Sequence, residues 1–153
     1  MIDDMGIFRT TLHVAPLGNP QRRIQVDSVM VDTGSEYNWI PAALLEELGV
    51  SRDRVDRFET ADGHILERDV GHAILFAAGR WTASPVVFAE PTDKVLLGAI
   101  GLEGLSVRID LSRKELVPAG PMPAAAIRAA AAPLAREKRQ KHLGQGVNLM
   151  RQI

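Results

Sequence analysis

At 153 residues, with 46% hydrophobic and 24% charged positions, the chain has the size and balance of one soluble globular domain, able to bury a core unaided. It contains no cysteine, which excludes disulfide frameworks, thiolate metal sites and cysteine nucleophiles. The net charge of -1 hides an asymmetry: residues 1–120 carry 12 Lys+Arg against 18 Asp+Glu, a balance of -6, and residues 121–153 carry 6 against 1, a balance of +5.

Taken in chain order, short apolar stretches separated by turn residues predict an all-β body. Residues 7–14 form a first strand, broken by Ala15-Pro16-Leu17-Gly18-Asn19-Pro20. A second is expected at Ile24–Val31, with Ile24, Val26, Ser28 and Met30 alternating against Gln25, Asp27, Val29 and Val31. Its end turns apolar on both faces, as a strand entering a buried centre does. Pro41–Leu48 reads as the one clear helix, opened by proline, carrying Leu44, Leu45 and Leu48 on one face, and ended by Gly49. Strands follow at Arg54–Ala61 and His64–Asp69 around Asp62-Gly63, a hairpin signal because both residues tolerate positive φ. Gly71–Ala77 and Trp81–Phe88 flank a second hairpin turn at Ala78-Gly79-Arg80. Val95-Leu96-Leu97 is a short buried strand, Leu102–Leu105 a helical turn, and Ser106–Leu111 with Glu115–Val117 close the body.

The composition changes after Pro118, so the expected organisation is a body over 1–118 and an extension over 119–153. Ala124–Ala132 has high helix propensity, Pro133 interrupts it, and Arg136–Lys141 is basic. Without interleaved aromatics this tail reads as a solvated segment rather than a nucleic-acid site. No apolar run approaches the roughly 20 residues that span a membrane. The acidic start Met1-Ile2-Asp3-Asp4-Met5-Gly6 differs from a secretory signal, so a cytoplasmic location is expected.

Chemistry concentrates in Val29-Met30-Val31-Asp32-Thr33-Gly34-Ser35. A carboxylate following apolar strand residues is expensive to bury unless it is hydrogen-bonded or shares a proton. Gly34 permits a tight turn whose amides point back at Asp32, and the hydroxyls of Thr33 and Ser35 can add donors. Alone, such a tripeptide arises by chance in about a few per cent of chains of this length.

The surrounding residues add specificity. Ile40-Pro41 opens the helix, and some sixty residues on, Leu96-Leu97-Gly98 precedes Leu102-Glu103-Gly104-Leu105. With these, the chain from Ile7 to Pro118 resembles a single-domain retropepsin-like aspartic protease of the bacterial type. The resemblance implies a closed-barrel-like retropepsin (acid protease) fold with one clear short helix. To this the partly helical C-terminal extension is added.

The resemblance also implies an activity. Asp-Thr-Gly occurs once, so the active enzyme is expected to be a homodimer that brings two Asp32 side chains to a two-fold axis. The pair activates one water for endopeptidase cleavage, with no cofactor and no metal. Thr33 reaches across the axis, while Gly34 and Ser35 orient the carboxylate. Ala61, Asp62, Gly63, His64 and Ile65 form a flap over an extended peptide. Ile40, Val95, Gly98 and Ile100 are the expected subsite residues. Two departures from the retroviral pattern stand out: the flap tip has one glycine, and Ala99 follows Gly98 where a basic residue is usual.

Other chemistries fit less well. His13, His64, His72 and His142 lack metal-ligand spacing. Ser35 and Ser84 lack a triad context. Gly98-x-x-Gly101-x-x-Gly104 does not match the dinucleotide fingerprint. The alternatives to an active peptidase are a catalytically silent module of the same fold that dimerises or binds peptides, and an enzyme held inactive by its tail.

Overall fold

The computed structural model describes residues 7–125. Most of the helix expected over Ala124–Ala132, from residue 126 on, lies outside them, as do Arg136–Lys141 and His142. The chain divides into two units, Met1–Gly120 and Pro121–Ile153, and the elements described here all belong to the first.

Nine strands and two helices follow one another among the described residues: β1 (Arg9–Ala15), β2 (Ile24–Val31), β3 (Asn38–Pro41), α1 (Ala42–Glu47), β4 (Arg54–Glu59), β5 (Ile65–Ala77), β6 (Arg80–Ala89), β7 (Leu96–Leu97), α2 (Ala99–Leu105), β8 (Val107–Asp110) and β9 (Glu115–Pro118). The first seven strands form one sheet in the order β1-β2-β7-β3-β6-β5-β4. β1 also pairs with β5, His13 opposite Phe76 and Val14 opposite Leu75, so six strands close a ring and β4 hangs outside it. The all-β expectation holds. The closure mixes parallel and antiparallel pairs, so it is a ring rather than a strict barrel. β8 and β9 form a separate two-stranded sheet.

The core inside the ring is aliphatic, with Leu12, Val29, Ile40, Leu45, Leu75, Val86, Leu97 and Leu105 fully buried around Phe88. Helix α1 contributes Leu45 and the adjoining Leu48, with Leu44 half-buried, and Gly49 at φ 74° ends it as expected. Helix α2 starts three residues before the expected turn and buries Leu102 and Leu105.

Four local readings need correction. β2 is not a plain alternation: Ser28 has φ 56°, and the pairing slips between Thr10–Val29 and Leu12–Val26. This bulge places one extra residue in β2 and resets which side chains face inward, so that Val29, Met30 and Val31 are all buried. Gly71 does not divide two strands but sits inside the 13-residue β5. A Cβ there would stand 2.2 Å from the carbonyl oxygen of Ser51, so glycine marks a close approach and not a break. Asp62-Gly63 is not a two-residue turn: Gly63 alone has positive φ (87°), and Gly63 N–H donates to the Thr60 carbonyl (2.9 Å). That is a three-residue loop with glycine in the left-handed position. Finally, β3 was not expected at all, being four residues long with no clear period. The two-residue turn lies instead at Ala78-Gly79, both at positive φ, between paired Ala77 and Arg80.

Candidate active site

Asp32 leaves the buried end of β2 and is itself half-buried. β7 lies parallel to that end, Met30 beside Leu96 and Val31 beside Leu97. The Asp32 N–H donates to the Leu97 carbonyl (3.0 Å), continuing the ladder past the strand. The chain then turns sharply, with Ser35 N–H donating to the Asp32 carbonyl (3.2 Å) and Gly34 N–H to the carboxylate Oδ1 (2.9 Å). The side chain is thus oriented by its own turn, and Gly34 leaves room for it: a Cβ there would lie 3.2 Å from the same oxygen, a tight contact.

The hydroxyls act differently from expectation. Ser35 Oγ donates to the Tyr37 carbonyl (3.0 Å), because the turn points its side chain onward along the chain rather than back at the carboxylate. Thr33 is exposed. Among the described residues only the Gly34 amide donates to the Asp32 carboxylate.

Behind this loop sits the start of α2. Ala99 N–H donates to the Ser35 carbonyl (2.8 Å) and Ile100 N–H to the Glu36 carbonyl (3.0 Å). The first amides of a helix have no partner within it; here the loop after Asp32 supplies them. Gly98 is buried against that loop, where a Cβ would stand 2.3 Å from the Tyr37 carbonyl oxygen and 2.7 Å from that of Ser35. The structure therefore holds the Asp32–Ser35 turn between backbone bonds to Leu97 and Ala99, with Gly98 packed against it and the Ile100 amide bonded to the next residue, Glu36.

The remaining expected residues are distributed less simply. Ile40 is fully buried in the core, since β3 pairs on both sides and turns this side chain inward. It supports the site from beneath and offers no surface to a peptide, which corrects its reading as a subsite residue. Val95 and Ile100 are half-buried. Ala61, Asp62, Gly63, His64 and Ile65 are exposed at the tip of the β4–β5 hairpin, and no hydrogen bond joins them to Asp32–Ser35 among the described residues. At that tip, hydrogen bonds from the Thr60 hydroxyl and the His64 ring hold the Asp62 carboxyl below the usual aspartate range.

Residues that sequence reasoning missed fasten the hairpin arm to the strand leaving the loop. Phe58 of β4 packs edge-on against Tyr37 (centroids 5.7 Å apart) and Trp39 (5.0 Å). Arg54 Nη2 donates to the Tyr37 hydroxyl (3.1 Å) and pairs through Nε with Asp56 (3.0 Å). Their one sequence signal was an aromatic on every strand in question, which reads equally as core.

The base of the arm is held by an ion pair. Arg68 of β5 grips Asp93 through two bonds, Nε to Oδ2 at 2.7 Å and Nη2 to Oδ1 at 3.0 Å. Both side chains are well covered, 13% and 9% exposed. Such a bidentate pair is strong when desolvated, and the guanidinium holds Asp93 below its ordinary carboxylate range. Removing one partner should cost about 3 kcal/mol, because the other charge stays covered. Asp93→Asn is expected to lower the melting temperature accordingly. An Asp whose folded pKa is depressed contributes stability above its unfolded pKa and loses it as pH falls through the folded value. The gap between wild type and variant should thus persist from neutral pH down to the ordinary aspartate range and close only below it. Melting curves across pH read this directly; a gap that closes already near pH 6 would contradict the pairing.

The aspartyl protease family profile matches residues 22–100, just over half of the chain and the whole stretch from the start of β2 to α2. The chain belongs to the aspartyl protease family. The resemblance read from Val29–Ser35 and Leu96–Gly98 is borne out at that level. Two solved structures are similar to it. One is the solution structure of Simian foamy virus (mac) protease, 20% identical, covering 61% of this chain and 92% of that one, with a TM-score of 0.41. The other is the crystal structure of a retropepsin-like aspartic protease from Rickettsia conorii, 23% identical, covering 74% and 90%, with a TM-score of 0.41. No curated protein matches the chain. No helix among the described residues is long and apolar enough to cross a membrane.

Proposed function

We propose that this member of the aspartyl protease family is a homodimeric endopeptidase that hydrolyses peptide bonds with a water activated between two Asp32 carboxylates. The observation that carries the reading is the Asp32 turn: a carboxylate fixed by the Gly34 amide at the end of a buried strand, with no cation among its partners in the described residues. One such group per chain cannot serve as both base and acid, and Asp-Thr-Gly occurs once.

Two chains related by a two-fold axis supply the pair. Carboxylates sharing a site about 3 Å apart hold one proton between them, the behaviour established for aspartic-protease dyads. The ionised member takes a proton from the water as it attacks the scissile carbonyl carbon, and the protonated member donates to the carbonyl oxygen. Collapse of the tetrahedral intermediate breaks the C–N bond, with the proton passing to the leaving amine. Exposed Thr33 is available for a contact across the axis. The β4–β5 hairpin, with exposed Ile65 at 48%, would lie over an extended substrate and bond its backbone.

The test is cleavage of a diverse peptide mixture as a function of protein concentration. If the site exists only in the dimer, activity per chain rises with concentration until dimerisation is complete. Activity per chain that is constant down to a concentration at which the protein is demonstrably monomeric would refute the shared site.

A further inference from the structure

Asn38 and Ser84 are the two polar residues in the described core, 0% and 2% exposed. A buried amide is tolerated when its donors and acceptor are used, and Asn38 uses all of them, its donors on one element and its acceptor on another. Its Nδ2 donates to Ser84 Oγ (2.9 Å) and to the Pro85 carbonyl (3.0 Å), both on β6. Its Oδ1 accepts the Gly98 N–H (3.0 Å), at the junction of β7 and α2. Gly98 lies between the two groups that hold the catalytic turn: Leu97, whose carbonyl takes the Asp32 amide, and Ala99, whose amide reaches the Ser35 carbonyl. The glycine ladder of α2 fits the same arrangement, since a Cβ on Gly101 would stand 2.3 Å from Asn38 Oδ1.

We infer that Asn38 is a positioning residue for the reaction: its side chain sets the height of the Leu97-Gly98-Ala99 segment and through it the pose of the Asp32 turn. This rests on the peptidase reading above, and it gives a physical reason why the chain manages with Ala99 beside the loop. The Gly98 amide is anchored to β6 through Asn38 and supplies the bracing. Asn38 touches neither carboxylate nor substrate; it acts through Gly98.

The experiment compares Asn38→Leu and Asn38→Asp with wild type, at a concentration where the dimer is complete and at a temperature where each variant is folded. Leucine keeps the volume but leaves the Gly98 amide and the Pro85 carbonyl unpaired. A misplaced reacting group costs about 100-fold in rate, so kcat is expected to fall by that order with KM changed by less than about twofold. Aspartic acid has the same shape, and burial raises the pH at which it ionises. Protonated, it can accept from Gly98 and donate to Pro85; ionised, it faces that carbonyl with a charge. Asn38→Asp should therefore regain kcat as pH falls, relative to wild type at each pH.

A variant that melts lower but has wild-type kcat per folded dimer at every pH would overturn the assignment. Should Asn38→Leu not fold, Asn38→Asp and Gly101→Ala decide the matter by the same kcat-against-KM split. If wild type itself shows no Asp32-dependent cleavage, the peptidase reading fails separately. The brace is then judged by hydrogen exchange at the Asp32 and Ala99 amides. Faster exchange in Asn38→Asp at neutral than at acid pH, after correction for intrinsic rates, supports it, and unchanged protection rejects it.

Discussion

Asp32→Asn is expected to reduce peptide cleavage by at least about 10³-fold between roughly pH 4 and pH 7 while leaving the fold intact. The substitution is isosteric, and its Oδ1 still accepts from Gly34, the contact that shapes the turn. Because the position is only half-buried and its backbone bond to Leu97 is untouched, stability should change by no more than about 0.5 kcal/mol. What disappears is the ionisable group that the proposed mechanism uses to take the proton from water. Catalysis and folding are thus separable at this residue, and peptide cleavage with a parallel thermal melt measures both. A shared site makes a second demand: excess variant chain mixed with wild type should suppress activity by forming mixed dimers with one carboxylate. Full cleavage by the variant would place the chemistry on another group, and full activity in the mixture would refute subunit sharing.

The largest structural effect is expected from Gly98→Ala. The added Cβ would meet the carbonyl oxygens of Tyr37 at 2.3 Å and Ser35 at 2.7 Å, and both belong to backbone. A long side chain could swing aside; these carbonyls cannot, since the Tyr37 carbonyl takes the Ser35 hydroxyl and the Ser35 carbonyl takes the Ala99 amide. Overpacking of this kind should cost at least about 3 kcal/mol, a large part of a total stability of roughly 5–15 kcal/mol. The expected outcome in urea is an earlier midpoint, with activity lost at denaturant concentrations where wild type still works. Gly104 gives a comparison, because the three nearest atoms to its Cβ would all belong to the Thr82 side chain, Oγ1 at 2.4 Å, and none to backbone. Equal loss of activity per folded chain from Gly98→Ala and Gly104→Ala would mean that closeness to the Asp32 turn is not what matters.

The legibility of this protein in its sequence follows the range of the forces involved. The strands at Ile24–Val31, Trp81–Phe88 and Leu96-Leu97 could be read because each is a compact apolar run bounded by turn residues, and helix α1 because Pro41 and Gly49 punctuate it. Asp32-Thr33-Gly34 was legible as a family signature. The bulge at Ser28 was not: it is defined by the register against the partner strand β1, thirteen or more residues away. Gly71 misled for a similar reason, since the Ser51 carbonyl that excludes a side chain there is invisible in a one-dimensional pattern. Asn38 drew no reading at all, because nothing in its neighbourhood reveals that Ser84, Pro85 and Gly98 converge on it. The glycine spacing 98-101-104 was noticed but assigned no role; it marks one helix face pressed against neighbours. Ile40 was misplaced because apolar identity alone cannot distinguish the floor of a site from its wall.

The topology also bears on when the active site comes into being. The β5–β6 hairpin pairs across a two-residue turn, so its ends meet after closing a very short loop. The Asp32 turn depends on β2 lying beside β7, Met30 against Leu96, and the intervening chain must already be arranged for that parallel pair to form. Contacts between such distant segments carry a loop-closure penalty and form late in folding. A ribosome-bound chain that has not yet emerged past Leu97 therefore lacks the partner that shapes its own Asp32 turn. The order of synthesis keeps the Asp32 turn unshaped until the ring around it has closed.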